Sequence, residues 1–316
     1  MSVNEDGGLG ESQSDNNVDD QEPASSRLAI AADLGGTFLR VGVVTPTGEL
    51  LKSKKFRLRE KTPEAVIAQL KESIDFFEVG PDIPFGMGIP AEILPGTGHV
   101  ICAPNLDWDD LAFQTQAAES LGRETHLIND LNAITLGESN IGAAKGIDHL
   151  LCIYVGTGVG MGVISDGRLI LGYQGFAGEI GHYKVASPET GNLCGCGDRG
   201  CLETYVSGRY LPKPAHDVEA AYLSGDESAV ALWKECSDYL AMAIVNAATL
   251  INPQMIVLGG GVLEAAPSLR QQIKTSIKAY SNRAAIQNLD FQDAQCGDSA
   301  GVIGAGLYAL GAYKSN

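Results

Sequence analysis

Apolar residues in the first third of the chain alternate between short unbroken runs and a helical spacing. From Leu28, the stretch LAIAADLGGTFLRVGVVTPTGELLKSKKFRL reads as a strand, a tight glycine turn, a second strand, a polar turn at Pro46–Gly48 and a third strand. TPEAVIAQLKESIDFFEV follows with the spacing of an amphipathic helix, Thr62 as N-cap and Pro63 as its first helical residue. PFGMGIP is a buried-strand run, and a hairpin-like stretch lies near Pro95–Gly98. Ile128, Asn129 and Asp130 close another strand before a helix rich in Leu, Ala and Ile.

The second half opens in the same way. HLLCIYVGTGVGMGVISDGRLILG is again strand, glycine turn, strand, polar turn, strand. WKECSDYLAMAIVNAATLINP is the longest segment of helical periodicity, MIVLGGG is a short buried strand ending in glycines, and AGVIGAGLYALGAY reads as a small-residue helix. One pattern therefore occurs twice, starting about 120 residues apart at Leu28 and near Leu150. That is a duplicated α/β domain rather than a solenoid period, and two such domains place a cleft between them. The predicted division is an N-terminal domain over 27–132 and a C-terminal domain over 133–316, whose last helix packs back on the first.

Composition changes this picture at the margins. With 316 residues, 44% hydrophobic and 19% charged, the chain has the make-up of a globular protein of two domains. No stretch approaches the ~20 apolar residues that span a bilayer, so no membrane partner is expected. A net charge of −17 argues against a nucleic-acid partner, because Lys and Arg supply most non-specific affinity for phosphate. Residues 1–26 hold seven acidic side chains, no basic one, and only Met1, Val3, Leu9 and Val18 as large apolar groups. Such a segment cannot bury enough surface to offset its ordering entropy and is expected to be a disordered tail. Its acidity fits neither a signal peptide nor a transit peptide, and a cytoplasmic location is expected.

A histidine and three cysteines lie within GEIGHYKVASPETGNLCGCGDRGCLE. His182, Cys194, Cys196 and Cys201 form His-x11-Cys-x-Cys-x4-Cys, a ligand set suited to one tetrahedral structural zinc. Disulfides are the competing use, but the seven cysteines are odd in number and Cys194 and Cys196 are too close to bridge easily. Glu179 and Glu203 flank the cluster, so the pinned loop presents two carboxylates. Cys102, Cys152, Cys236 and Cys296 sit in apolar surroundings and are expected to be inert core thiols.

Asp33-Leu34-Gly35-Gly36-Thr37 and Gly156-Thr157-Gly158-Val159-Gly160 each follow an apolar strand directly. Neither is a Walker A loop. Each alone is as readily a plain hairpin, but the pair at equivalent positions favours phosphate binding through bare backbone N–H groups. Gly259, Gly260 and Gly261 after MIVL permit close approach of a flat ligand such as a nucleobase, or simply form a loop. Asp130, at the end of a strand, is placed to take a proton from a substrate hydroxyl, though Asp is also a common helix cap. Asn105, in APNLDW, offers an amide to a hydroxyl.

Together these segments resemble the ROK family (repressors, open reading frames and sugar kinases). The matching stretches are ADLGGT, GIP with APNLDW, IND, VGTGVG, GEIGH, CGCGDRGCLE, LGGG and GDSAGVIGA, in family order across residues 28–312. PAEILPGTGHV departs from the Gly-Pro-Val-Asp-like stretch of many members. The resemblance implies two ribonuclease-H-like domains of the actin and hexokinase type with a cleft between them. It implies that Asp33 positions magnesium and phosphate, and that Gly35, Gly36, Thr37, Gly156, Thr157 and Gly158 hold ATP phosphates. Gly259, Gly260 and Gly261 belong to the same ATP site. Asn105, Asn129, Glu179, His182 and Glu203 would contact the sugar, and Asp130 would be the catalytic base. The implied activity is ATP-dependent phosphorylation of a hexose at its 6-hydroxyl, glucose first, with N-acetylglucosamine, N-acetylmannosamine or fructose as alternatives and a non-catalytic sugar sensor as a further one. Family repressors carry an N-terminal DNA-binding domain, and an acidic segment of 26 residues is not expected to make one. A homodimer or homotetramer is the expected assembly.

Overall fold

The computed structural model describes residues 27–313, and the acidic segment 1–26 lies outside them. The chain opens with β1 (Ala29–Leu34), β2 (Phe38–Val44) and β3 (Leu50–Arg57), then α1 (Pro63–Asp75) and β4 (Phe85–Ile89). Next come β5 (Glu92–Leu94), β6 (His99–Ala103), β7 (Trp108–Leu111), α2 (Phe113–Leu121), β8 (Thr125–Asn129) and α3 (Asp130–Asn140). The second half runs β9 (Leu150–Val155), β10 (Val159–Ser165), β11 (Arg168–Leu169), α4 (Glu203–Val206), α5 (Ala215–Leu223) and α6 (Glu227–Ile251). It ends with β12 (Met255–Gly259), α7 (Gly261–Ala265), α8 (Pro267–Tyr280), α9 (Ala284–Gln287), β13 (Asp290–Asp293) and α10 (Ala300–Ala309).

Two five-stranded sheets have the same construction. One runs β3-β2-β1-β4-β8 and the other β11-β10-β9-β12-β13. In each, the first three strands in sequence are an antiparallel meander, and the remaining two add parallel to its first strand. The repeat seen along the chain is thus a repeat of topology. Local chemistry agrees with it: Thr62 caps α1 by accepting from the Ala65 N–H at 3.4 Å, with Pro63 starting the helix. A small third sheet, β5-β6-β7, is inserted after β4 in the first half only.

Three apolar clusters hold the fold. One lies under the first sheet against α1 and α2, and one under the second sheet against α6 and α8. The third fills the space between the sheets, where Ala31, Ile128, Ala133, Leu136, Cys152, Val257, Val302 and Ala305 meet. The helices α3 and α10 occupy that space, and α10 packs on α3, β1 and β4. Its small residues explain how it fits. A Cβ at Gly304 would overlap the Ala133 carbonyl, and one at Gly86 the Ala305 carbonyl. Backbones approach this closely only where side chains are missing. The last helix of the chain is therefore built into the first sheet's flank. No helix of the described residues is long and apolar enough to cross a membrane.

Candidate active site

A cavity of about 570 Å³ opens where the carboxyl ends of the parallel strands of both sheets meet. Gly35 and Gly36 follow β1, Pro90 follows β4, Asn129 ends β8, Gly156 follows β9 and Gly260 follows β12, and all line it. Open α/β sheets take ligands at such ends because the strands stop there and only loops intervene. The two glycine turns are tight, with Gly35 N–H donating to Phe38 O at 2.9 Å and Gly156 N–H to Gly158 O at 2.9 Å. A Cβ at Gly36 or Gly156 would touch no protein atom within 4 Å. Their missing side chains leave room for something outside the protein, which is what an approaching phosphate requires.

The structure brings most of the expected site residues to this one cavity. Thr37, Asn105, Asn129, Asp130, Thr157, Gly158, Glu179, His182 and Glu203 line it. Of the three glycines after β12, Gly260 lines it, Gly259 is buried in the strand beneath the Tyr154 ring, and Gly261 opens α7. Asp33 sits just below the surface, with its carboxyl against the bare Cα of Gly301 and 3.4 Å from the Arg40 guanidinium. One expectation is corrected: Cys102 is not a core thiol but a half-buried residue lining the cavity. The β5–β6 pairing shifts register between Glu92 and Ile93, leaving Ile101 unpaired. A shift of that kind re-aims the following side chains, here Cys102.

Asn129 and Asp130 divide two jobs. Asn129 is the cap of α3, its side-chain oxygen accepting from Leu131 N–H at 2.9 Å and Asn132 N–H at 3.2 Å. Its amide donates to Ala91 O at 3.2 Å. With the cap supplied by its neighbour, Asp130 keeps one carboxylate oxygen for the cavity while the other accepts from Leu131 N–H at 2.8 Å. Burial pushes the Asp130 carboxyl up to about 7, and the charges of Asp33 and Glu179 push the same way against the Leu131 hydrogen bond. Burial raises Asp33 to about 6, opposed by Arg40 and assisted by Asp298. Glu179 is also raised, by burial first, with Glu92 and Glu203 adding to it and His182 opposing. The site concentrates more negative charge than it neutralises.

A short helical turn at Ile180–His182 and the loop after it gather the four candidate metal ligands. The donor atoms of His182, Cys194, Cys196 and Cys201 lie within 4.8 Å of one another. Cys194 Sγ is 3.8 Å from His182 Nδ1, and Cys196 Sγ is 3.8 Å from Cys201 Sγ. Zn–S bonds of about 2.3 Å in a tetrahedron demand S···S spacings of roughly 3.8 Å. Gly197, at φ +93°, closes the turn in which Cys194 N–H donates to Asp198 O at 2.7 Å. The Lys184 ammonium lies 3.0 Å from Cys201 Sγ, an electropositive neighbour for a thiolate. Glu203 links this loop to the second glycine turn by accepting from Val159 N–H at 3.3 Å.

Several residues in and around the cavity have no motif that announces them. Arg209 Nη2 donates to Asn105 Oδ1 at 2.8 Å, joining the two halves across the mouth of the cleft. Its backbone is held against the second glycine turn by Gly208 N–H to Gly156 O at 2.8 Å. Lys61 lines the cavity and donates to Asn105 O at 2.8 Å, while its own carbonyl accepts from Trp108 Nε1 at 2.6 Å. Glu92 and Tyr154 also line it.

Comparison with known proteins gives a consistent result. The ROK family model matches residues 29–311. A glucokinase of Halalkalibacterium halodurans is 32% identical over 313 residues, covering 89% of this chain and 94% of its own. An N-acetyl-D-glucosamine kinase of Yersinia pseudotuberculosis is 30% identical over 299 residues, covering 88% of this chain and 97% of its own. Among solved structures, a ROK family glucokinase from Streptomyces griseus in complex with glucose and AMPPNP superposes with a TM-score of 0.76 at 29% identity, covering 89% of this chain and 99% of that one.

Proposed function

The chain belongs to the ROK family, and from that membership we propose that it transfers the γ-phosphoryl group of ATP to the 6-hydroxyl of a hexose, with glucose the preferred acceptor. One observation carries the proposal. Both open glycine turns and a wall of carboxylates and amides line the same cavity. The first suits phosphates and the second suits sugar hydroxyls.

In this scheme Asp130 is the general base. Its carboxylate takes the proton from the 6-hydroxyl while that oxygen attacks the γ-phosphorus in line and the bond to the departing ADP oxygen breaks. A carboxyl raised to about 7 supports the role, since it is basic enough to accept a proton and still ionised in part at neutral pH. Asn105, Asn129, Glu179, His182 and Glu203 orient the sugar. Gly36, Thr37, Thr157 and Gly158 present backbone and hydroxyl donors to the phosphates, while Gly35 and Gly156, whose own N–H groups close the turns, keep side chains out of the approach. Gly260 backs the nucleobase, with Gly259 and Gly261 shaping the turn around it.

Two metals fit the residues present. Burial holds the carboxyls of Asp33 and Asp130 raised, the charge of Asp33 adding to it at Asp130, and a divalent cation beside them would favour their ionised forms. Asp33 would hold the magnesium that accompanies ATP, which when bound neutralises phosphate charge. His182, Cys194, Cys196 and Cys201 would hold a structural zinc, whose closed ligand set fixes the loop carrying Glu179 and Glu203. The enzyme would act in the cytoplasm, as a homodimer or homotetramer.

The N-acetylglucosamine kinases among its relatives support a second acceptor. A coupled ADP-release assay with glucose, N-acetylglucosamine, N-acetylmannosamine and fructose tests both. Glucose is expected to give the highest kcat/KM. No ADP release above background with any hexose would overturn the kinase assignment.

A further inference from the structure

Asn105 is gripped from both halves of the chain. On one side Lys61 Nζ donates to its backbone carbonyl at 2.8 Å, and the Lys61 carbonyl in turn accepts from Trp108 Nε1 at 2.6 Å. Trp108 is buried and stacked on Phe113, with ring centroids 4.5 Å apart, so this grip is anchored in the core of the first half. On the other side Arg209 Nη2 donates to the side-chain Oδ1 at 2.8 Å. Arg209 has anchors of its own. Its backbone N–H donates to Thr157 O at 3.3 Å, and the preceding Gly208 N–H donates to Gly156 O at 2.8 Å. The side chain passes the bare Cα of Gly195, where a Cβ would stand 3.4 Å from Nη1. The next residue, Tyr210, accepts through its hydroxyl from Gly195 N–H at 2.9 Å. The guanidinium is therefore placed by the second glycine turn and the cysteine-rich loop together.

This contact decides which way the Asn105 amide faces. A guanidinium has five N–H donors and no acceptor, so the carboxamide atom that meets it is the oxygen. The amide nitrogen is left as the free end of a side chain that lines the cavity, and it meets no protein acceptor among the described residues. A sugar hydroxyl both donates and accepts. Ionised carboxylates such as those of Glu179 and Glu203, in the same cavity wall, only accept. A fixed N–H donor supplies the other half of what a hydroxyl needs.

Resting on the kinase proposal, we infer that Arg209 is a positioning residue for the acceptor: it holds the Asn105 carboxamide with its N–H groups toward the cavity, so that this position demands a sugar substituent able to accept a hydrogen bond. The bond lies at the exposed mouth of the cleft, where water competes for both partners, so it adds little to the stability of the fold. Its effect is on orientation. Without Arg209 the amide turns freely, and sugar binding must order it. Ordering one such side chain costs about 0.5–1.5 kcal/mol, which is roughly three- to tenfold in affinity. The same contact ties the acceptor side to the phosphate side, because the backbone of Arg209 rests on the second glycine turn.

The test is a cycle between this side chain and the sugar. KM and kcat are measured for glucose, for 2-, 3- and 4-deoxyglucose and for the corresponding deoxyfluoroglucoses, with the full-length enzyme and its Arg209→Met variant. Methionine fills much of the space and removes every donor, and the backbone bonds to the glycine turn remain. The melting temperature should therefore move little, as for an ordinary surface substitution. Arg209→Met is expected to raise KM for glucose roughly three- to tenfold with a much smaller change in kcat. It should raise KM far less for the one deoxy sugar that lacks the hydroxyl served by Asn105. At that position the wild type should bind the deoxyfluoro sugar better than the deoxy sugar, because fluorine accepts a hydrogen bond and donates none. An unchanged KM, or equal losses for every sugar, would mean that Arg209 does not act through Asn105. A deoxyfluoro sugar no better than the deoxy sugar at the coupled position would mean that Asn105 turns its oxygen to the acceptor. Any of these results overturns the inference, while wild-type turnover of glucose in the same experiment tests the kinase assignment separately.

Discussion

Replacing Asp130 by Asn should nearly abolish turnover and at the same time stabilise the protein. The two effects share one cause. The carboxyl is raised from 3.8 to about 7 because burial and the neighbouring Asp33 and Glu179 oppose its ionised form. Each pKa unit corresponds to about 1.4 kcal/mol, so the full shift would represent roughly 4 kcal/mol of destabilisation when the group is charged. Asp130 lines an open cavity, and water there screens part of this, so about 1–3 kcal/mol is the expected gain on removing the charge. The sign follows from linkage. The folded pKa lies above the unfolded one, so between about pH 4 and pH 7 the folded state holds the extra proton and stability declines as pH rises. Asparagine is insensitive to this. It also preserves the side-chain hydrogen bond from Leu131 N–H, so the start of α3 survives. Melting curves of ligand-free protein at pH 4.5 and pH 8 should therefore show the variant level with wild type at the lower pH and a few degrees more stable at the higher one. The ADP-release assay should show kcat down by about 10²–10⁴-fold or more. Wild-type activity should itself fall away as pH drops through about 7, as the base is protonated. A variant that is less stable than wild type at pH 8, or one that keeps near-wild-type kcat, would refute the assignment of a strained catalytic base.

Two further outcomes test the supports of the site. Cys196→Ser should lower the melting temperature and raise KM for the sugar far more than KM for ATP, since the loop carries Glu179, His182 and Glu203; elemental analysis of wild type should find about one zinc per chain, and active zinc-free enzyme would end the claim. Glu138 is fully buried in α3, and its carboxyl accepts from Ala143 N–H at 2.9 Å, Gln295 N–H at 3.0 Å and Cys296 N–H at 2.8 Å. Glu138→Ala leaves these donors unpaired and should cost about 2–4 kcal/mol in urea unfolding, with Glu138→Gln costing less; a loss under about 0.5 kcal/mol, the range of ordinary surface substitutions, would show that water replaces the carboxyl.

How much of the site could be read along the chain depended on how local each feature is. The glycine turns at 35–36 and 156–158 are legible because a β-turn is made by adjacent residues, and their recurrence is visible in one sequence. The candidate zinc loop is legible for the same reason, its ligands falling between His182 and Cys201. Asp130 was ambiguous between cap and base. The cap falls to Asn129 in the structure, which depends on how the strand turns into α3. Cys102 was misjudged because an apolar sequence neighbourhood does not say which way a side chain faces after a register shift.

The periodicity and glycine pattern of the chain by themselves determined the element types, the duplication and the positions of the two tight glycine turns, because these are consequences of backbone sterics over a few residues. Tertiary structure alone decided which residues distant in sequence meet: Arg209 with Asn105, separated by 104 residues, Lys61 with the same asparagine's carbonyl, and Glu138 with the backbone at Gln295 and Cys296. The return of α10 to the first domain was an expectation from the sequence, and the structure adds the close backbone fit through Gly304 and Gly86. Such contacts leave no periodic trace, since a single polar side chain at one position satisfies a partner whose distance along the chain is set only by how the two sheets pack.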